Sequence, residues 1–302
     1  MPRNKVIIGF NGSPAARDAL AFGCALAAAL GDDVLAANVF PYEQTHTTGD
    51  YLRVVRGQAE TELTSVPEGI ERRAIGSHSP ARGLTELAEG ESASAVVLGS
   101  THRSAIGRVL MGTVAERLLQ GAPCSVGVAP GGYADPPHGD VRVIGVAYDA
   151  SPEAQQALSS ATVLAGRMGA EIRVLGVAEM PTSFGASINA GFPDLRESVL
   201  QELGQELGNA VASLPDSIHA EARMLDGEPA EALAEAAGDG VDLLVSGSRG
   251  YGPVGRVLLG SVSSRLMRLA PCPVLMLARG IELTVDEAGD AAPAAETEES
   301  LA

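Results

Sequence analysis

The chain has 302 residues, a formal net charge of −17 and 45% hydrophobic residues, with 3% aromatics and no Trp. That length suits about two domains of ordinary size, with cores built from Val, Leu, Ala and Ile. The charge excludes a basic nucleic-acid footprint and attraction to anionic membranes, and apolar runs of about ten residues are too short to span a bilayer.

The N-terminus, MPRNKVIIGF, runs straight into a strand-like segment without the apolar stretch and small-residue cleavage site of an export signal. The run Val6–Phe10 reads as a buried strand ended by the turn Asn11-Gly12-Ser13-Pro14. Ser13 is placed as an N-cap with Pro14 in the first helical position, opening a helix over about 14–30 that ends at Gly31. A strand over about 33–40, a polar loop, a helix over about 50–63, a strand near 69–75 and a helix near 80–90 follow. Ala95–Leu98 is the next strand, and a Gly-rich loop, a helix over about 113–120 and the strand Cys124–Val128 close the unit.

The order then repeats: strand 141–147, helix 152–168, strand 171–178, helix about 194–213, strand 218–225, helix 229–237, strand 241–246, helix 261–269 and strand 273–278. VIIGFNGSP at 6–14 returns as VIGVAYDASP at 143–152, and the segment 99–124 returns at 247–272. A duplicated unit of roughly 140 residues is a whole α/β domain and not a solenoid repeat. Asn11 and Asp149 stand 138 positions apart but Gly112 and Gly260 stand 148 apart, which puts about ten extra residues in the second copy, mostly within 180–195. Alternating strands and helices with near-continuous apolar strands imply doubly wound parallel sheets covered on both faces. The division is therefore a first domain over 1–130, a linker over 131–140, a second domain over 141–279 and an acidic tail over 280–302. The tail carries seven acidic residues from Glu282 to Glu299, no basic residue and few bulky apolar groups, a composition expected to be disordered.

In the second copy Gly247 is followed by two residues, Gly250, nine residues and Gly260-Ser261. Glycines let backbone approach a phosphate, successive N–H groups make an anion cradle, and the helix opening at Ser261 adds its positive end. Ser261 and Ser263 add hydroxyls. In an open α/β sheet the ligand belongs at the carboxyl ends of the strands where winding reverses, and the turn at Asp149 and the strand end at Gly247 both face that crevice.

This pattern resembles the universal stress protein family, its tandem two-domain members in particular. The residues that carry the resemblance are the Gly-x2-Gly-x9-Gly-Ser loop at 247–261, the VAYDASP turn at 146–152 and the APCPVLML ending at 270–277. The resemblance implies a Rossmann-like five-stranded parallel sheet of order 3-2-1-4-5 in each domain, and ATP, with Mg²⁺, in the crevice. Asp149 would then hold the adenosine, Val177 flank adenine, Gly247 lie against ribose, and Gly250, Gly260, Ser261 and Ser263 hold the phosphates. The corresponding positions of the first copy are Asn11, Val39, Gly99, His102, Gly112 and Thr113. This copy departs from the pattern: Asn11 replaces the acid, His102 takes the second-glycine place and Ala115 replaces the second hydroxyl. The resemblance also implies an internal pseudo-dimer through Cys124–Val128 and Cys272–Leu277, and allows a homo-oligomer.

Other chemistries are set aside. Gly250-Tyr-Gly252-Pro-Val-Gly255 fits GxGxxG but follows the fourth strand of its unit, with no acid about 20 residues on. Lys5 is the only lysine, which excludes a Walker A loop and Schiff-base chemistry. His46, His78, His102, His138 and His219 show no metal spacing, so neither a metal site nor catalytic residues are expected. Arg249 and Arg103 follow the cradle glycines and can face phosphate or solvent. Cys24, Cys124 and Cys272 form no CxxC, which points to a reducing cytoplasm; the equivalent Cys124 and Cys272 read as small buried hydrophobes. The expectation is a cytoplasmic ATP-binding stress-response protein. The alternatives are a slow ATP hydrolase or nucleotidyl-transfer enzyme on the same sheet, and an interaction module that ignores nucleotide.

Overall fold

A computed structural model describes residues 4–42, 49–100, 102–103, 109–110, 112–135, 140–178, 193–248, 260–280 and 283, with backbone alone at 102–103, 109–110 and 193–195. The first unit runs β1 (Lys5–Gly9), α1 (Pro14–Leu30), β2 (Asp33–Pro41), α2 (Gly49–Leu63), β3 (Glu71–Ser77), α3 (Pro80–Gly90), β4 (Ala93–Gly99), β5 (His102–Arg103), β6 (Val109–Leu110), α4 (Thr113–Leu119) and β7 (Ser125–Ala129). The second runs β8 (Val143–Ala147), α5 (Pro152–Met168), β9 (Glu171–Ala178), α6 (Pro193–Ala212), β10 (Ala220–Asp226), α7 (Pro229–Gly238), β11 (Leu243–Gly247), α8 (Ser261–Leu269) and β12 (Val274–Leu277).

Each unit has the expected parallel order, β3-β2-β1-β4-β7 and β10-β9-β8-β11-β12. Strands β7 and β12 pair antiparallel, Val126 opposite Met276 and Val128 opposite Val274, so the two sheets form one of ten strands. Pairing at β7 and β12 satisfies two inner edges that would otherwise present open N–H and C=O groups. The outer edges, β3 and β10, carry charge instead: Glu71, Arg72 and Arg73 on one, Glu221 and Arg223 on the other.

Alternation along β1 decides which core each side chain joins. Val6 and Ile8 face α1 with Phe22 and Leu26, whereas Ile7 faces the other layer with Leu84 and Leu118. Both apolar layers run across the two units; the first also holds Ile144 and Leu164, the second Leu175 and Leu266. Each fully buried aliphatic side chain contributes about 1.5–3 kcal/mol.

The helix starts follow the reading of the turns. Ser13 and Ser151 accept N–H bonds from Ala16 and Ala154, with Pro at the helix start and Gly31 and Gly169 in left-handed C-caps. The third strand of the first unit starts later than expected, at Glu71. Gly69 turns the chain at positive φ, and register with β2 begins at Leu35–Glu71. The two-stranded ladder β5·β6, His102 opposite Leu110, occupies part of the stretch read as a loop.

The segment after each last strand is tied back to its unit's first helix by equivalent residues. Asp18 on α1 accepts N–H bonds from Gly132 (2.9 Å) and Ala134 (2.8 Å), and Tyr133 packs edge-on against Phe22. Gln156 on α5 accepts from Gly280 (3.2 Å), and Ser160 Oγ accepts from Leu283, which is buried. The packed structure thus extends past residue 279 and includes part of the linker. Of the stretch 180–195 expected to hold the extra residues, 180–192 lie outside the described residues, as does the tail beyond 283. Among the described residues no helix is long and apolar enough to cross a membrane.

Two expectations follow from this packing. A methyl group at Gly99 would overlap the Ala15 carbonyl, so Gly99→Ala should cost about 1–3 kcal/mol or more. Gly57→Ala, on α2 with nothing within 4 Å, should gain up to about 1 kcal/mol; urea midpoints check both. Burial pushes the Cys124 and Cys272 thiols up to about 12. Only half-buried Cys24, itself raised by burial, should react with a thiol reagent at pH 8 before denaturant is added.

Candidate functional site

The carboxyl ends of β8, β9 and β11 open into a cleft enclosing about 920 Å³ of empty space, counting its mouth. Its position is the winding reversal: α5 leaves β8 toward one apolar layer, while α7 and α8 flank β11 on the other. Leu175, Val177 and Leu233 form an apolar wall. Asp149, Ser151, Glu153, Ser246, Gly247 and the turn Gly260–Ser263 form the polar one.

Three helices begin at this cleft, and their caps differ. On α5 the Ser151 hydroxyl accepts the Ala154 N–H, and on α7 the Glu228 carboxylate accepts the Glu231 N–H. The cap of α8 is Gly260, which has no side chain to offer; among the described residues none bonds in its place. The opening N–H groups and positive dipole end of α8 therefore face the cleft ready for an anion. Ser261 is exposed, while Ser263 is buried with its hydroxyl 3.5 Å from the Gly247 carbonyl oxygen.

Asp149 is held in an Asx turn: its Oδ1 accepts from the Ser151 N–H and hydroxyl. Ala150 sits at φ 57°, the left-handed region, in the place that Gly12 takes at φ 71° in the first unit. Asn11 reproduces the turn through Ser13, at 3.3 Å to its N–H and 2.7 Å to its hydroxyl. The exchange of Asp for Asn thus preserves the local fold and removes only the charge.

Gly247 has a packing reason to be glycine beside any ligand role. A methyl there would stand 2.5 Å from the Glu153 carbonyl oxygen and 2.9 Å from Glu153 Cβ. Gly99 has the same relation to Ala15, so this glycine lets the first helix of each unit seat its opening turn on the fourth strand.

The equivalent crevice of the first unit is packed differently. Leu98 stands where the second unit has Ser246, and its Cδ2 lies over Gly9, the counterpart of Ala147. Gly83, where α7 has Ala232, lets α3 close on Val39: a methyl there would stand 2.7 Å from Val39 Cγ1. Asn11, Val39, Gly99, Gly112 and Thr113 occupy the equivalent turn, strand ends and helix start. Gly112 caps α4 without a side-chain bond, but α4 is only seven residues long.

Asp149, Val177, Gly247, Gly260, Ser261 and Ser263 thus converge on the second-unit cleft. Gly250 and Arg249 lie outside the described residues, as do the side chains of His102 and Arg103 and both His46 and His138. Sequence reading missed Glu153, Ser246 and Leu233 as lining residues. Two of these had a signal: the paired copies differ there, Glu153 against Ala15 and Ser246 against Leu98. Among the described residues no cluster of three or more potential metal ligands is present.

The geometry defines a class: tandem doubly wound α/β domains with a ligand cleft at the strand reversal. The sequence pattern of the universal stress protein family matches residues 2–130 and again 141–278, and the chain belongs to that family. Membership places it among proteins of the stress response. A universal stress protein of Mycobacterium tuberculosis is 30% identical over 232 residues, covering 73% of this chain and 77% of the relative. One from Thermus aquaticus, encoded beside a sulfhydrylase, is 34% identical over 139 residues, 45% of this chain and 98% of its own. A crystal structure of a universal stress protein from Archaeoglobus fulgidus superposes with a TM-score of 0.64 at 22% identity, covering 93% of this chain and all of that one. That likeness bears on the fold.

Proposed function

We propose that the chain binds ATP, with Mg²⁺, in the cleft of the second unit, and that the bound nucleotide stabilises one state of a cytoplasmic binding protein. The observation that carries this is the uncapped start of α8 at Gly260, set between two helix starts that are capped by their own side chains. A phosphate is the natural partner of those N–H groups. The residues suit the rest of the ligand as well: Leu175, Val177 and Leu233 offer a flat apolar wall to a base, and Asp149 offers an acceptor to a hydroxyl or amine. Asp149 is fastened by two bonds from Ser151, which suits holding a ligand better than attacking one.

In the first unit Leu98 lies over Gly9 at the place where Ser246 and Ala147 line the second-unit cleft, which leaves less room for a base and ribose. The proposal is therefore one nucleotide per chain. Gly260→Asp separates folding from binding. Its φ of −65° accepts any residue, and Asp is a favoured N-cap, but its carboxylate takes over the N–H groups meant for phosphate.

Calorimetry with Mg²⁺-ATP should give a stoichiometry near one, and saturation at a hundred times Kd should stabilise the wild type by about 2.7 kcal/mol. Gly260→Asp should fold with unchanged or higher stability and lose both signals. A stoichiometry near two, or binding that survives this substitution, would overturn the reading.

A further inference from the structure

The second-unit cleft holds a second carboxylate besides Asp149. Glu153 lies in the opening turn of α5, lines the cleft, and keeps its side chain 19% exposed. Its main chain is pressed against Gly247, with a methyl on Gly247 falling 2.9 Å from Glu153 Cβ. The base of this side chain is thereby fixed beside the strand end. On its outer side the Arg279 guanidinium stands 3.5 Å away and is 59% exposed, so solvent screens this neutralising charge.

The pair is particular to this unit. In the first unit the same positions are Ala15 and Gly131, and there Leu98 stands in place of Ser246 and lies over Gly9. The fold forms without the pair in one copy and carries it in the copy whose cleft Glu153 lines.

We infer that Glu153 sets the metal dependence of ligand binding: its carboxylate disfavours a bare polyphosphate and admits one whose charge a divalent cation has reduced, while Arg279 sets how strongly. The inference rests on the nucleotide reading above and names the charge class of ligand that the cleft accepts. The physical basis is the strength of like-charge repulsion where water is partly excluded. Glu153 opposes a polyanion, and a divalent cation carried with the phosphates would offset that repulsion, with Glu153 and Asp149 the carboxylates of the cleft that could hold it. One or two carboxylates with phosphate oxygens and waters is the ordinary setting for Mg²⁺.

The test is titration of the full-length protein with ATP in Mg²⁺ and in chelator, at matched ionic strength, for wild type, Glu153→Gln, Glu153→Ala and Arg279→Gln. Glu153→Ala installs the residue that the first unit carries, so it serves as a folding control. Wild type should bind the metal complex about tenfold more tightly than bare ATP or better. Both Glu153 variants should narrow this ratio toward unity by strengthening metal-free binding, and Arg279→Gln should widen it. Adenosine, which has no phosphate, should bind all four proteins alike. An equal ratio in wild type and Glu153→Gln overturns the inference while leaving the nucleotide site intact, as does an adenosine affinity that shifts with the ATP affinity. If wild type binds no ATP with or without metal, the cleft reading itself fails and takes this inference with it.

Discussion

The carboxyl edge of each unit depends on one close approach, that of the first helix's opening turn to the last residue of the fourth strand. Ala15 lies against Gly99, and Glu153 against Gly247, so tightly that neither strand end has room for a methyl group. The contact seats α1 and α5 at the strand reversal and brings the Asx turns of Asn11 and Asp149 over it. In the second unit it also roots Glu153 at the cleft wall. Glycine at these two positions is first a packing requirement, and the space available to a ligand follows from it.

From that shared frame the two copies diverge by a few side chains. Leu98 replaces Ser246 as the residue before the glycine, Gly9 replaces Ala147 so that Leu98 can lie across it, and Gly83 replaces Ala232 so that α3 can move onto Val39. These exchanges compensate one another in volume, which well-packed interiors require. The result is a different lining at the same place in the two units, without change to strand order or Asx turn.

The halves are nevertheless one body of packed structure. The antiparallel β7–β12 pair continues the sheet, both apolar layers cross the junction, and Glu116 on α4 pairs with Arg268 on α8. The chain leaving each last strand folds back along its own first helix, held by Asp18 in one unit and Gln156 in the other. Helix α8 therefore meets the cleft at one end and the first unit near the other. That helix is amphipathic, burying Ser263, Leu266 and Met267.

Much of the fold was legible in the chain itself, because it rests on local and periodic signals. The Ser-Pro starts at 13–14 and 151–152, the glycine stops at 31 and 169 and the apolar strand runs place most elements within a few residues. The strand order came with the family resemblance carried by three motifs. The convergence of Asp149, Gly260 and Ser261 followed from the same motifs, since their residues are tied to a strand end and a helix start. Tertiary structure alone decided what lies across the crevice. That Leu98 covers Gly9, that α3 rests on Val39 and that Glu153 backs onto Gly247 are contacts between segments far apart in sequence. Such contacts leave no periodicity to read, because they depend on how two surfaces meet and not on how one segment is patterned.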